Sequence, residues 1–181
     1  MEINAPEQKD HESLAPAART APSHPASARG FDFLHGRWRV RHTKLRERLT
    51  GCREWYAFLG TLEVAPILAG LGNFDHNGLA DPAGPYEAHS LRLCDPATGS
   101  WSIWWLDARD PGAGLGPPVT GGFEGRKITL FGEDSLAGRP IQVRTTYEPL
   151  DETSAVWTQA FQAPDQSWEV NWIMDFSRAA A

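Results

Sequence analysis

The sequence predicts an all-β domain of about ten antiparallel strands, and three observations lead to this prediction. Strand-like segments recur every 10–15 residues through most of the chain. Asp-Pro occurs at 81–82, 95–96 and 110–111, each time between apolar or alternating segments, which is typical of turns. Long helical periodicity is missing. Because closure removes exposed strand edges, a closed barrel is favoured over an open sandwich.

The chain divides into a tail and a domain. Its first 29 residues contain seven alanines, four prolines and no aromatic residue. Such a composition buries too little apolar surface to offset the entropy of ordering. We therefore predict a disordered Ala/Pro-rich tail over 1–29, a β-barrel over 30–178 and a second tail over 179–181. The start of the chain lacks the features of a signal peptide, so a cytoplasmic location and reduced Cys52 and Cys94 are expected.

Alternation and turn residues give the elements in chain order. The predicted strands are 36–44, 53–65, 69–76, 86–94, 100–108, 118–124, 127–133, 140–148, 154–163 and 167–177. A single helical turn is expected at 31–35, before the first strand, and a second short one around 65–69.

Charge and hydropathy exclude two classes of partner. The net charge of −6 argues against a general nucleic-acid binder, and no run approaches the roughly 20 apolar residues of a membrane span. Residues 37–53, however, carry seven basic residues against Glu47, which leaves a net −12 for the rest of the chain. This segment could meet an anionic partner. The favoured alternative is a solvated strand that pairs with neighbouring acidic residues such as Glu54 and Glu63.

The segment 31–38 reads Phe-Asp-Phe-Leu-His-Gly-Arg-Trp and resembles the start of a calycin barrel, where a short 3₁₀ turn precedes a G-x-W motif. In lipocalins the motif tryptophan, here Trp38, closes the barrel floor, and an arginine after the last strand, here Arg178, packs over it. The chain is also similar to uncharacterised bacterial lipocalin-like proteins with a GLGN segment (70–73), a WSIWW-like strand (101–105) and a terminal NWIMDF strand (171–176).

The resemblance implies a calycin-like barrel, and ten strands are typical of its fatty-acid-binding and nitrobindin types. Nitrobindin barrels bind haem through a histidine on a late strand, but the last histidine here is His89, so no haem is expected. His42, His76, His89 and Asp75 show no HxH, HExxH or cupin-like spacing, and no metal site is expected. We therefore expect a protein without a cofactor.

Alternation along the strands predicts which side chains face the interior. The inward residues are expected to be Trp38, Val40 and His42 in strand one; Trp101, Ile103, Trp105 and Asp107 in strand five; Trp157, Gln159 and Phe161 in strand nine; and Trp168, Val170, Trp172, Met174 and Phe176 in strand ten. Asn73 and Asp75 are expected to add polar groups. Trp104 would then point outward and contribute to a second layer or a homodimer interface.

An apolar, aromatic interior with a few polar groups is typical of small-molecule pockets. The leading hypothesis is the binding of a small hydrophobic or aromatic molecule by Trp105, Trp157, Gln159, Trp172 and Asn73. The alternative is a purely structural role, in which the tryptophans fill the barrel interior and no ligand binds.

A second hypothesis is a cofactor-independent isomerase, cyclase or hydro-lyase that uses His42, Asp107 and Asp75 as acid and base. Motifs for other chemistries are missing. There is no G-x-S-x-G, and the glycine-rich segments at 112–116 and 121–122 lack the GK[ST] ending of a phosphate loop.

Overall fold

Within residues 26–179, which the computed structural model describes, ten antiparallel strands close into a barrel. The strands are β1 (Gly36–Leu45), β2 (Trp55–Ile67), β3 (Gly72–Leu79), β4 (Tyr86–Cys94), β5 (Trp101–Asp107), β6 (Val119–Glu124), β7 (Lys127–Leu136), β8 (Arg139–Pro149), β9 (Ser154–Gln162) and β10 (Trp168–Arg178). Each strand pairs with the next along the chain, and β1 pairs with β10 to close the ring. The predicted fold class is confirmed.

Short 3₁₀ turns complete the architecture at Ala26–Arg29, Asp32–Leu34, Leu68–Gly70 and Pro111–Ala113. The second of them lies inside the turn predicted at 31–35. The turn predicted around 65–69 forms slightly later, so β3 begins at Gly72 rather than at 69. No helix among the described residues is long and apolar enough to cross a membrane.

Two of the three Asp-Pro turns are held by hydrogen bonds to the aspartate side chain. Asp95 Oδ1 accepts a hydrogen bond from the Ala97 amide and its Oδ2 accepts one from Thr98 Oγ1, both at 2.9 Å. Asp81 Oδ1 accepts from the Ala83 amide at 3.1 Å. These are Asx-type turns, in which the side chain takes the place of a backbone acceptor.

The segment before β1 plugs one end of the barrel. Residues 1–25 of the predicted tail, like 180–181, lie outside the described residues. Ala26–Arg29 form a turn, and Ala28 is buried in the core cluster. Phe31 then makes edge-to-face contacts with Trp101 and Tyr147, with ring centroids 4.8 and 5.1 Å apart. Such aromatic pairs stabilise this end beyond the apolar area they bury.

Trp38 and Arg178 lie in direct contact at the same end, which we call the floor. The Trp38 indole nitrogen donates to the Leu34 carbonyl at 2.7 Å. The Arg178 guanidinium lies 3.9 Å from the centre of the Trp38 ring and donates to the carbonyls of His35 and Phe33. The guanidinium thus uses its planar face and its N–H groups at once, which a lysine could not do.

The inward alternation predicted for strand ten is wrong at its beginning. The register between β10 and β9 shifts between Val170 and Trp172, which leaves an extra residue in β10. A bulge of one residue moves every side chain before it to the opposite face. Trp168 therefore packs on the outer face, against Phe131 and Arg144, rather than inside.

The arginines of β1 are exposed on the outer face, as the alternation predicts. Arg37 pairs with Glu63 at 3.2 Å, and Arg46 pairs with Glu54 at 3.3 Å. This is the pairing with neighbouring acidic residues that the sequence favours over an anionic partner. Lys44 is the exception among the basic residues of 37–53, because it points into the barrel.

Candidate functional site

A cavity of about 370 Å³ occupies the barrel interior. Its mouth lies beside the loop between β5 and β6, which contributes Asp110, Ala113, Gly114, Gly116 and Pro117, and beside the end of β7. The volume lies in the lower part of the range of small-molecule sites. A ligand of modest size would fit without rearrangement of the strands.

Three tryptophans form one wall of the cavity. The Trp157 and Trp172 rings meet edge to face with centroids 5.3 Å apart, and the Trp105 and Trp172 rings do so at 6.0 Å. Trp157 and Trp172 are buried, whereas Trp105 is 37% exposed and stands near the mouth. Edge-to-face packing fixes the rings relative to one another, so the wall is formed before any ligand arrives.

A second wall of the cavity is polar, and its centre is Arg92. This residue is 2% exposed and lies in β4. Its guanidinium contacts Asp75 Oδ2 at 2.6 Å, donates to Asn73 Oδ1 at 2.9 Å and donates to the Tyr147 hydroxyl at 3.2 Å. Burial disfavours its charge, but Asp75 and Tyr147 together outweigh burial and raise the pKa of Arg92 above its ordinary value. Arg92 therefore stays charged.

Two buried polar atoms on this wall lack partners. Among the described residues, neither Arg92 Nε nor Thr145 Oγ1 has a hydrogen-bond partner, and both residues line the cavity. A buried donor without a partner costs about 1–3 kcal/mol. An incoming polar group that formed a hydrogen bond with either atom would recover part of this energy. This wall therefore suits the polar end of a ligand.

A second buried cation lies behind the aromatic wall. Lys44 Nζ contacts Asp81 Oδ2 at 3.2 Å and the Tyr86 hydroxyl at 3.0 Å, and lies 3.9 Å from the centre of the Trp172 ring. Burial lowers the pKa of Lys44, although Asp81 opposes the shift. Neither Lys44 nor Asp81 lines the cavity. We call Lys44, Asp81, Tyr86 and His42 the sealed cluster.

His42 belongs to this sealed cluster. Its ring stacks on Phe58 at 4.6 Å, and its Nδ1 accepts a hydrogen bond from the Trp172 indole at 3.2 Å. An accepting Nδ1 means that the proton of the neutral ring sits on Nε2. Burial, and next the charge of Lys44, lower the pKa of His42 to about 4. His42 is therefore neutral near pH 7, and it does not reach the cavity.

Asp107 lines the mouth of the cavity and is held by Arg109. Arg109 Nε donates to Oδ1 at 2.9 Å and its terminal nitrogen donates to Oδ2 at 2.5 Å. Burial opposes ionisation of Asp107, but the hydrogen bonds from Arg109 outweigh burial and lower the pKa of Asp107. The Arg109 guanidinium also lies 3.7 Å from the centre of the Tyr86 ring.

The structure brings together most of the residues that the sequence singles out. Of these residues, Trp105, Trp157, Gln159, Trp172 and Asp107 line the cavity. Asn73 and Asp75 are buried against Arg92 and do not line the cavity. His42 accepts a hydrogen bond from the Trp172 indole and does not line the cavity either.

Sequence reasoning missed Arg92 and Thr145. In β4 the apolar residues Leu91 and Leu93 alternate with Ser90 and Arg92, and the usual pattern would bury the leucines. The structure does the reverse and buries the polar set. The one available signal was strand pairing, because β3 places Asp75 inward beside this position.

The outer face carries a group that the sequence spacing did not predict. His76, Glu87 and His89 lie together on β3 and β4, with their potential ligand atoms all within 4.8 Å of one another. The expectation of no metal site came from motif spacing along the chain. Such spacing gives no information about residues that meet across two strands.

Comparison with known proteins supports the fold. No protein-family model and no curated protein match the sequence. Among solved structures, the chain is similar to the crystal structure of Rv2717c from M. tuberculosis, with a TM-score of 0.57 and 13% sequence identity. The match covers 87% of this chain and 100% of that chain. At this identity the likeness shows a shared fold and nothing about a ligand.

Proposed function

We propose that this protein binds a small hydrophobic or aromatic molecule in the barrel cavity, with a polar group of that molecule directed at Arg92 and Thr145. The observation that carries the proposal is that aromatic and polar side chains line the same cavity. Three tryptophans form the aromatic part, and the polar part holds buried atoms without partners among the described residues. A mainly apolar pocket with a few polar groups is the usual form of a ligand site.

The polar wall indicates what kind of group the ligand carries. Arg92 Nε can only donate, and Thr145 Oγ1 can donate or accept. An oxygen acceptor such as a carbonyl, ether or hydroxyl would satisfy both atoms. Because Asp75 balances the charge of Arg92 at 2.6 Å, the site does not require an anion. We therefore expect an amphipathic ligand with an aromatic body and an oxygen-bearing end.

Binding is favoured over catalysis by the state of the acid and base candidates. A general base works best with a pKa near the operating pH and with access to the substrate. His42 has a pKa of about 4 and is covered by Trp172, and Arg109 keeps Asp107 ionised. Asp75 is engaged by Arg92 and does not line the cavity. These observations support a binding protein over the isomerase, cyclase or hydro-lyase alternative.

The proposal is tested by native mass spectrometry of the purified full chain, followed by fluorescence titration. We expect a retained small molecule, or saturable binding of the amphipathic probe anilinonaphthalene sulfonate at one site per chain. Trp105→Ala should weaken probe binding at least about tenfold, because a buried aromatic contact contributes more than 1.4 kcal/mol.

Trp104→Ala is the matched control, since it removes the same side chain from the other face of β5 and should leave probe affinity unchanged. Thr145→Val should weaken a ligand that bears an oxygen acceptor but not a pure hydrocarbon of similar shape. Equal loss in the Trp104 and Trp105 variants would place the probe on the surface and overturn the proposal. No retained molecule and no saturable binding would do the same.

A further inference from the structure

We propose that His76, Glu87 and His89, on the outer face of β3 and β4, bind a divalent transition-metal ion and that this ion is Zn²⁺. The site is separate from the cavity and does not depend on the proposed function. Two imidazoles and one carboxylate are a donor set that suits Zn²⁺.

Strand pairing brings the three residues together. Gly78 of β3 lies opposite Glu87 of β4, and Asn77 lies opposite Ala88. The side chains of His76, Glu87 and His89 share the outer face of these paired strands, with His76 and Glu87 exposed and His89 half-buried. Exposure leaves the site open to an ion from solvent.

The distances are close to those of a metal site. His76 Nε2 lies 3.6 Å from Glu87 Oε2, and the potential ligand atoms of all three residues lie within 4.8 Å. Ligands about 2.0–2.1 Å from one Zn²⁺ at tetrahedral angles stand about 3.3–3.4 Å apart. Small side-chain rotations at two exposed residues would close the remaining gap.

The orientation of His89 is the second, independent observation that points to a metal. Its Nδ1 lies 2.8 Å from the backbone carbonyl of Asp75. A carbonyl can only accept, so Nδ1 carries the proton and Nε2 keeps its lone pair. A histidine that donates its other N–H to a backbone carbonyl is the usual support of a metal ligand, because the bond fixes both tautomer and ring direction.

Aromatic contacts hold the same ring in place. Phe74 stacks on His89 with centroids 5.0 Å apart and an interplanar angle of 11°, and the His76 and His89 rings lie 5.2 Å apart. The neighbouring carboxylate of Glu63, opposite His76 in β2, is engaged by Arg37 at 3.2 Å. Glu87 is therefore the carboxylate available to the two histidines.

Three protein ligands leave at least one position of a tetrahedral ion for water or for an incoming donor. The ion would also join β3 to β4 directly outside Asp75, whose backbone carbonyl orients His89 and whose carboxylate contacts Arg92. Zinc should therefore raise the melting temperature of the folded chain, because an ion that binds only the native state stabilises it.

Calorimetric titration of the tag-free full chain with zinc chloride tests the proposal. We expect one Zn²⁺ per chain and at least about tenfold weaker binding in each of His76→Ala, His89→Ala and Glu87→Gln. Mg²⁺ should not compete, because it prefers oxygen ligands. Circular dichroism without metal should show that each variant remains folded.

Two control variants separate this site from the other histidines. His35→Gln removes a histidine at the floor, and the double variant His11→Gln/His24→Gln removes two that lie outside the described residues. Both should bind Zn²⁺ as the unmodified chain does. Absence of saturable binding at micromolar zinc, binding that survives the His89 substitution, or binding lost in either control would each overturn the proposal.

Discussion

The barrel buries two cations against two aspartates, and the two pairs differ in what surrounds them. Lys44 and Asp81 lie in the sealed cluster, where the ammonium group contacts a hydroxyl and three aromatic rings. Arg92 and Asp75 border the cavity, and Arg92 Nε has no partner among the described residues.

This difference distinguishes a buried pair that supports the fold from one that is available to a ligand. A buried charge is tolerated when an opposite charge and further polar or aromatic partners satisfy it. The sealed cluster meets this condition from the protein alone and stands behind the aromatic wall. The Arg92 pair meets it only in part, because Arg92 Nε has no partner among the described residues, and Arg92 lines the cavity. The candidate site is therefore distinguished by incomplete hydrogen bonding of its buried cation, more than by burial or charge.

The largest expected effect is on stability at the cavity pair. Arg92→Met should lower the free energy of unfolding by about 3–5 kcal/mol, because it leaves Asp75 charged and buried without a counterion. Urea unfolding measures the change. The double variant Arg92→Met/Asp75→Asn should recover part of the loss, and Arg39→Met on the exposed outer face should change little. A loss below 1 kcal/mol in the single variant would show that the pair is not the electrostatic centre of this wall.

The next effect concerns pH and the sealed cluster. The folded pKa of His42 is about 4, against an ordinary value of 6.5. Between these values the unfolded chain binds more protons, so stability falls as pH decreases through this window. The loss attributable to His42 should reach about 3 kcal/mol near pH 4.

His42→Gln should flatten this dependence, because glutamine keeps an acceptor for the Trp172 indole and does not titrate. Unfolding curves of the His42 variant and of the unmodified chain between pH 4 and 7 give the comparison. Parallel curves for the His42 variant and the unmodified chain would contradict the assignment.

Lys44→Met should lower stability by a smaller amount, about 2–3 kcal/mol, because Asp81 loses its cation. The Ala83 amide and the Tyr56 hydroxyl remain as donors to the carboxylate and limit the loss. Affinity of the cavity for an apolar probe should stay unchanged, since Lys44 does not line it. A tenfold loss of probe binding at full folding would make the sealed cluster part of the site and remove the contrast with Arg92.

The smallest effect expected comes from packing on the sealed cluster. A Cβ at Gly60 would lie 2.6 Å from His42 Nε2 and 2.7 Å from the Gly78 carbonyl, which forces the strands or the ring to shift. Gly60→Ala should therefore destabilise the barrel by about 1–3 kcal/mol. Gly122→Ala is the matched control in another strand, because nothing lies within 4 Å of its added Cβ. Equal melting temperatures for the two variants would show that His42 is loosely packed.

The sequence determined the strand framework of this protein. Turn residues and alternation predicted all ten strands, and their bounds differ from the observed ones by only a few residues. The aromatic wall also followed from alternation, since Trp105, Trp157 and Trp172 line the cavity. These predictions succeed because turns and strand faces depend on neighbours close in the chain.

The tertiary structure alone decided which polar groups the barrel buries. Arg92 is buried because Asn73, Asp75 and Tyr147, 19, 17 and 55 residues away, meet its charge and its donors. The bulge that turns Trp168 outward depends on the register of β10 against β9. His76, Glu87 and His89 meet only because β3 and β4 pair. Charge satisfaction and register are properties of contacts between distant segments, so one-strand patterns do not contain them.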